Sequence, residues 1–114
     1  NVNILLTTTG TERRLVSYEE VMIFRAVQEL LGNSVRHSQA TQLKVRLDMG
    51  EETIQVVVDD DGKGFDLDAL PDEVGAGLRI IRDRVEMLGG EINLESTLGQ
   101  GTRVSFQAPA LNQA

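Results

Sequence analysis

Cysteine and tryptophan are absent from this chain, and only one tyrosine, three phenylalanines and two prolines occur among its 114 residues. Without cysteine there is neither thiol redox chemistry nor a thiolate zinc site, and nothing points to an oxidising compartment. Basic residues are outnumbered 18 to 11, and the resulting net charge of −7 opposes a phosphate backbone, so no nucleic-acid partner is expected. No apolar run approaches the ~20 residues of a membrane span, so no direct membrane contact is expected either. The start, Asn1-Val2-Asn3, has neither Met nor a charged leader and reads as a segment of a longer, cytoplasmic protein, with a membrane anchor elsewhere in that parent left open. What is present suffices for one domain, which at this length buries roughly two thirds of its unfolded surface without staples.

Apolar periodicity orders the chain. Val2, Ile4 and Leu6 alternate as in a half-buried strand that Gly10 interrupts, and a short segment follows at 13–16. Ser17 with Glu20 three residues on has the spacing of a capping box, and a helical pattern runs from there to about Ser38. Leu43, Val45 and Leu47, then Ile54, Val56 and Val58, alternate on either side of a turn at 49–52, which makes a hairpin. Residues 61–77 read as a loop with a possible helical turn at 67–70. Leu78, Ile81, Val85 and Leu88 recur at helical spacing and stop at Gly89-Gly90. A final pair of strands carries Ile92 and Leu94, then Val104 and Phe106, around Gly99-Gln100-Gly101, and a disordered tail is expected at 110–114. Strands beside two substantial helices predict a two-layer α/β sandwich with a mixed, largely antiparallel sheet covered by helices on one face, the domain occupying 1–109.

The polar residues are placed less ordinarily. Glu29, Asn33 and His37 fall at i, i+4 and i+8 of the first helix, so they stack on one face with Arg36 beside them, while Val27, Leu31 and Val35 are left to face the sheet. A solvated face would explain such a column. It would not explain Gly32 and Asn33 in mid-helix, where poor helix formers cost roughly 1 kcal/mol each. A carboxylate, an amide oxygen and a cation in one row suit a base, a Mg2+ ligand and a phosphate clamp. Asp60 continues the register of Ile54, Val56 and Val58 and therefore points to the face they bury, whereas Asp59 and Asp61 point away. A carboxylate aimed at a core needs a donor, either the exocyclic amine of a purine or a backbone N–H of the following turn.

Three G-x-G pairs follow in order, Gly62/Gly64, Gly75/Gly77 and Gly99/Gly101. Each suits a backbone that bends sharply or approaches a phosphate closely. Gly75 and Gly77 are expected just ahead of the second helix, whose N-terminus favours an anion. Gly99/Gly101 alone is a hairpin turn, with Thr102 offering a hydroxyl beyond it.

Residues 28–37, QELLGNSVRH, resemble the N box of the ATP-binding domain of bacterial sensor histidine kinases, and DDGKGF, GAGL and GQGT from Asp60, Gly75 and Gly99 resemble its glycine boxes. The Arg36-His37-Ser38 and Leu88-Gly89-Gly90 sequences are most similar to the subfamily that pairs with LuxR/NarL-type response regulators. The resemblance implies a Bergerat-type sandwich with a mobile ATP lid, ATP and Mg2+ as ligands, and phosphoryl transfer to a histidine on a separate dimerisation domain. It implies Asn33 as the Mg2+ ligand, Glu29 as the base or orienting group and Arg36 on the phosphates, with His37 near the nucleotide. Asp60 would accept from the adenine amine with Thr102 nearby, Gly62 and Gly64 would hinge the lid, and Gly75, Gly77 and Leu78 would admit the triphosphate. Only ten residues, 65–74, separate the first two pairs, and the Phe-rich lid motif of larger kinases is missing. A serine kinase of the anti-sigma type, a gyrase- or MutL-like clamp and a catalytically inactive ATP-binding module share the fold and stand as alternatives.

Overall fold

A computed structural model describes residues 2–112. Strand β1 (Asn3–Gly10) leads to helix α1 (Ser17–Asn33), whose last turn continues as a π-helical turn over Ser34–Ser38. The hairpin β2 (Gln42–Met49) and β3 (Thr53–Asp60) follows, then α2 (Asp72–Met87), β4 (Glu91–Ser96) and β5 (Thr102–Pro109). The strands form one sheet in the order β1-β2-β3-β5-β4. Only β1 and β2 run parallel, joined through α1, and the other three pairings are antiparallel.

Period 2 places the core. Leu43, Val45 and Met49 of β2, Ile54, Val56 and Val58 of β3, and Val104, Phe106 and Ala108 of β5 are buried on one face. Ala26 and Leu30 of α1 and Ile81 and Val85 of α2 close over them, with Val27, Leu31 and Leu78 packed against the cluster. Val35, expected to join them, is exposed, because the wider π turn rotates it outward. The Gly89-Gly90 stop has a clear physical form: Gly90 N–H donates to the Val85 carbonyl (2.9 Å) and Gly89 N–H to that of Glu86 (2.9 Å), with Gly89 in the left-handed conformation.

Three local expectations are corrected. The strand at Ile4 and Leu6 forms but is not half-buried: these side chains are 56% and 66% exposed, because α1 stops short of this edge and leaves an apolar cleft lined by Leu6, Phe24 and Val27. The Ser17/Glu20 capping box does not form. Val16 stands at the N-cap, and the Glu20 carboxylate reaches back past it to the Leu15 N–H (2.9 Å) and to Arg14 (2.9 Å). The tail is tied down as far as it is described, since Leu111 N–H donates to the buried Glu19 carboxylate (2.7 Å) and Leu111 C=O accepts from Val16 N–H (2.7 Å). Asn112 bridges to Leu15 and accepts from Arg13 Nε (2.5 Å), and residues 113–114 lie outside the described part.

Asp61 locks the start of β2 to the end of β3. Its carboxylate accepts from Thr41 Oγ1 (2.6 Å), Thr41 N–H (2.8 Å) and Gln42 N–H (2.9 Å). These donors, the Thr41 hydroxyl foremost, hold its pKa below the ordinary 3.8. A depressed folded-state pKa means that the carboxylate stabilises the fold above the unfolded value and that this stability is lost as pH falls through the folded one. Asp61→Ala should therefore lower the midpoint of urea unfolding at pH 7, and its deficit relative to wild type should shrink below about pH 4. A deficit that is unchanged at pH 3 would show that the carboxylate's charge is not what matters.

Candidate functional site

At the junction of α1, α2 and the sheet, Asp60 fulfils the parity expectation. It is the last residue of β3, pairs with Thr102 across β3–β5, and turns its carboxylate toward the helical layer. Oδ1 accepts from the N–H of Gly62 (2.9 Å) and of Thr102 (3.2 Å), so the backbone donor is found. Oδ2 is left facing a cavity, where Ser34 Oγ donates to it at 2.8 Å. Its neighbours are accounted for on the other face: Asp59 forms a two-pronged ion pair with Arg103 (2.8 and 3.0 Å) and Asp61 binds Thr41.

Val58, Leu94 and Val104 from the sheet and Leu30, Leu78 and Val74 from the helices wall the cavity. Thr102 lines it too, its hydroxyl 2.8 Å from Ser96 Oγ, which accepts the Phe65 N–H at 2.7 Å. Only about 30 Å3 is open, because Phe65, Leu67 and Leu70 fold in from the connecting segment. That is room for a water or two and far below the ~300 Å3 of a ligand pocket. The segment expected to be a mobile lid thus has several apolar anchors.

Glu29 and Asn33 lie on the α1 face that meets α2, as their spacing implies. A Cβ on Gly77 would stand 2.7 Å from Glu29 Oε1 and 3.3 Å from Asn33 Nδ2, so the two helices approach closely there and an added methyl group would have to displace the Glu29 carboxylate. Asn33 is only 7% exposed; its Oδ1 accepts a long bond from Arg36 (3.4 Å) and its Nδ2 has no partner among the described residues. Arg36 lies between two carboxylates, 3.9 Å from Glu29 and 3.9 Å from Glu73. His37 Nε2 is 3.5 Å from the same Glu73 oxygen without forming a hydrogen bond. In the π turn Arg36 and His37 both lie toward Glu73 in the first turn of α2.

Gly62 and Gly64 follow β3 directly. Gly62 is needed for contact: a Cβ there would lie 2.7 Å from Ser38 Oγ, and the adjacent Lys63 N–H donates to the Ser38 carbonyl (2.7 Å). Gly75 and Gly77 do not precede the second helix but lie inside it, since α2 begins at Asp72 with Pro71 at its N-cap and Asp72 and Glu73 in the first turn, where they complement the helix dipole. Gly75 faces open space. Ser34 and Ser96 were not singled out from sequence; a small polar residue has no periodic signature, and only the meeting of distant segments gives these two a role.

These observations define a Bergerat-type ATPase sandwich, with helices on one face of the sheet and a cleft between α1 and α2. The family model described as histidine kinase-, DNA gyrase B-, and HSP90-like ATPase matches residues 18–112, and the chain belongs to that family. Its relatives place it with the ATPase domains of sensor histidine kinases. It is 30% identical over 100 residues to the signal transduction histidine-protein kinase/phosphatase DegS of Bacillus subtilis, covering 86% of this chain and 26% of that protein. A sensor-like histidine kinase of Chloroflexus aurantiacus is 33% identical over 115 residues, covering 96% and 19%. Among solved structures, the histidine kinase domain of the Erythrobacter litoralis EL346 blue-light activated kinase superposes with a TM-score of 0.72 at 30% identity, covering 94% of this chain and 52% of that one. The chain thus spans only about a quarter and a fifth of these two full-length relatives. None of the helices among the described residues is long and apolar enough to cross a membrane.

The glycines of α2 separate two effects. Gly75→Ala adds a methyl group in open space within a helix and should stabilise the domain by roughly 0.5–1 kcal/mol in thermal unfolding without nucleotide. Gly77→Ala should gain less or lose stability, because the Glu29 carboxylate must move aside. A Gly75→Ala domain no more stable than wild type would mean that Gly75 is not within the helix.

Proposed function

We propose that this domain binds Mg-ATP between α1 and α2 and passes the γ-phosphoryl group to a histidine on the dimerisation domain of a cytoplasmic or membrane-anchored parent kinase. The observation that carries the reading is Asp60, with one oxygen held by backbone and the other turned into an apolar cavity beside Thr102. That arrangement suits an exocyclic amine, while Val58, Leu78, Leu94 and Val104 suit the faces of a purine. Entry requires Leu67, Leu70 and Val74 to leave, with Gly62 and Gly64 as the hinge and residues 72–77 unwinding to bare the backbone of Gly75 and Gly77 beside Glu29 and Asn33. Arg36 and His37, which now face the Glu73 carboxylate, would face the phosphates in its place.

The residues present fit a magnesium ion. Mg2+ takes oxygen ligands and keeps several waters, commonly needing one or two protein groups beside the phosphates. Among the described residues no three acidic or histidine side chains form a cage, but Asn33 offers a buried amide oxygen whose one hydrogen bond, from Arg36, is long at 3.4 Å. When bound, the ion neutralises charge on the β- and γ-phosphoryl oxygens. Asn33 would hold it, and Glu29 would take the proton of the acceptor imidazole or orient that ring. A bond forms from the imidazole nitrogen to phosphorus as the bond to the bridging oxygen breaks, and ADP leaves. The similarity of Arg36-His37-Ser38 and Leu88-Gly89-Gly90 to one subfamily supports a LuxR/NarL-type regulator as the final acceptor.

Calorimetry should show Mg-dependent ATP binding that exceeds GTP binding. Asp60→Asn should cost about tenfold or more in ATP affinity and most of the discrimination. Asn33→Ala should remove the difference between Mg2+ and EDTA. Equal wild-type affinity for ATP and GTP would remove the adenine assignment.

Incubated alone with radiolabelled ATP the domain should stay unlabelled, since His37 is built into the nucleotide-binding helix. Given the dimerisation domain of its parent, it should label that domain's histidine, and Glu29→Gln should slow transfer by about 100-fold or more while changing affinity little. Acid-labile label on His37 would overturn this assignment, and label on a serine of a partner would favour an anti-sigma type of kinase.

A further inference from the structure

The two oxygens of Asp60 are divided between different donors. Oδ1 is committed to the N–H groups of Gly62 and Thr102, which belong to the turn after β3 and to β5. Oδ2 has no backbone donor; Ser34 Oγ, at 2.8 Å, is the one described group that bonds it. Ser34 is itself tightly held. It is 8% exposed and opens the π-helical turn, and its carbonyl accepts from Ser38 Oγ at 2.7 Å. Ser38 is in turn fixed to the β3 side of the cleft, its carbonyl accepting the Lys63 N–H at 2.7 Å. The Ser34 hydroxyl is therefore presented from a rigid helical turn to one oxygen of one carboxylate, within the cavity that both residues line.

We propose that Ser34 is a positioning residue for base recognition: by donating to Asp60 Oδ2 it aims the remaining lone pair of that oxygen at the exocyclic amine of the bound base. The inference rests on the Asp60 assignment made above. A carboxylate oxygen accepts in two directions, so one donor orients the acceptor without consuming it. With Ser34 in place the carboxylate plane is held at both ends, by backbone at Oδ1 and by hydroxyl at Oδ2. Without it only the bonds at Oδ1 restrain the last torsion, which is broad and soft for Asp, and Oδ2 is left without a fixed donor. The consequence is selective. Ser34 acts only through Asp60, so it matters for a base that carries an amine and not for one that lacks it.

The experiment measures binding of ATP and of purine riboside triphosphate, which lacks the exocyclic amine, to wild type, Ser34→Ala and Ser34→Thr of the full chain. Wild type should prefer ATP. Ser34→Ala should weaken ATP binding about three- to tenfold while leaving the analogue within twofold, and Ser34→Thr, which keeps the hydroxyl, should restore the preference. Ser34→Cys, close in size and a weaker donor, should reduce the ATP preference without restoring it and serves in place of Ser34→Ala should that variant unfold. Equal weakening of both nucleotides would assign Ser34 a structural role only and overturn the proposal, as would an unchanged ATP preference in Ser34→Ala or Ser34→Cys. Wild type that does not distinguish the two nucleotides would overturn the Asp60 assignment itself, and the role of Ser34 with it.

Discussion

The carboxylate of Asp60 is the point on which the cleft depends. A charge turned from a strand toward the helical layer is tolerated only when donors surround it, and here they come from three separate parts of the chain: Gly62 after β3, Thr102 at the head of β5, and Ser34 at the end of α1. Because each donor belongs to a different element, satisfying the charge brings those elements to one place. The close packing of Gly62 on Ser38 and the Lys63-to-Ser38 hydrogen bond follow from the same convergence.

Against that fixed wall stands a second one of different character. Residues 65–74 and the first turn of α2 fold over the cavity with Phe65, Leu70 and Val74, and Glu73 lies beside Arg36 and His37. Apolar side chains at the apolar end and a carboxylate at the cationic end match the two halves of a nucleotide in chemistry, though the ion pairs are long and solvent-exposed and contribute little. On the proposed reading, displacing them has a cost that nucleotide affinity must exceed. Two glycines in the first turns of α2 keep that cost low, each weakening the helix by about 1 kcal/mol relative to alanine.

This ATPase domain resembles sensor kinases at about 30% identity and spans 26% and 19% of two full-length relatives. The Asp60 side of the cleft is held by hydrogen bonds from three elements, whereas the α2 side closes with apolar contacts and long ion pairs.

The sequence by itself determined whatever depends on short periods. Strand parity put Asp60 on the buried face and Asp59 and Asp61 on the other, helical spacing put Glu29 and Asn33 together, and the alternating runs marked the hairpin of β2 and β3 and the strands around Gly99 and Gly101, because each pattern repeats within one element. Tertiary structure decided the rest. Whether α2 starts at Asp72 or beyond Gly77 depends on what Val74 and Leu70 can bury, and the site gains Ser34 because of a carboxylate 26 residues away. The exposure of Ile4 and Leu6 depends on how far α1 reaches across the sheet, and the order of residues 110–112 depends on Glu19, 92 residues before its partner Leu111. Contacts at such separations leave no period in the sequence, since any residue able to donate or fill space could have met them.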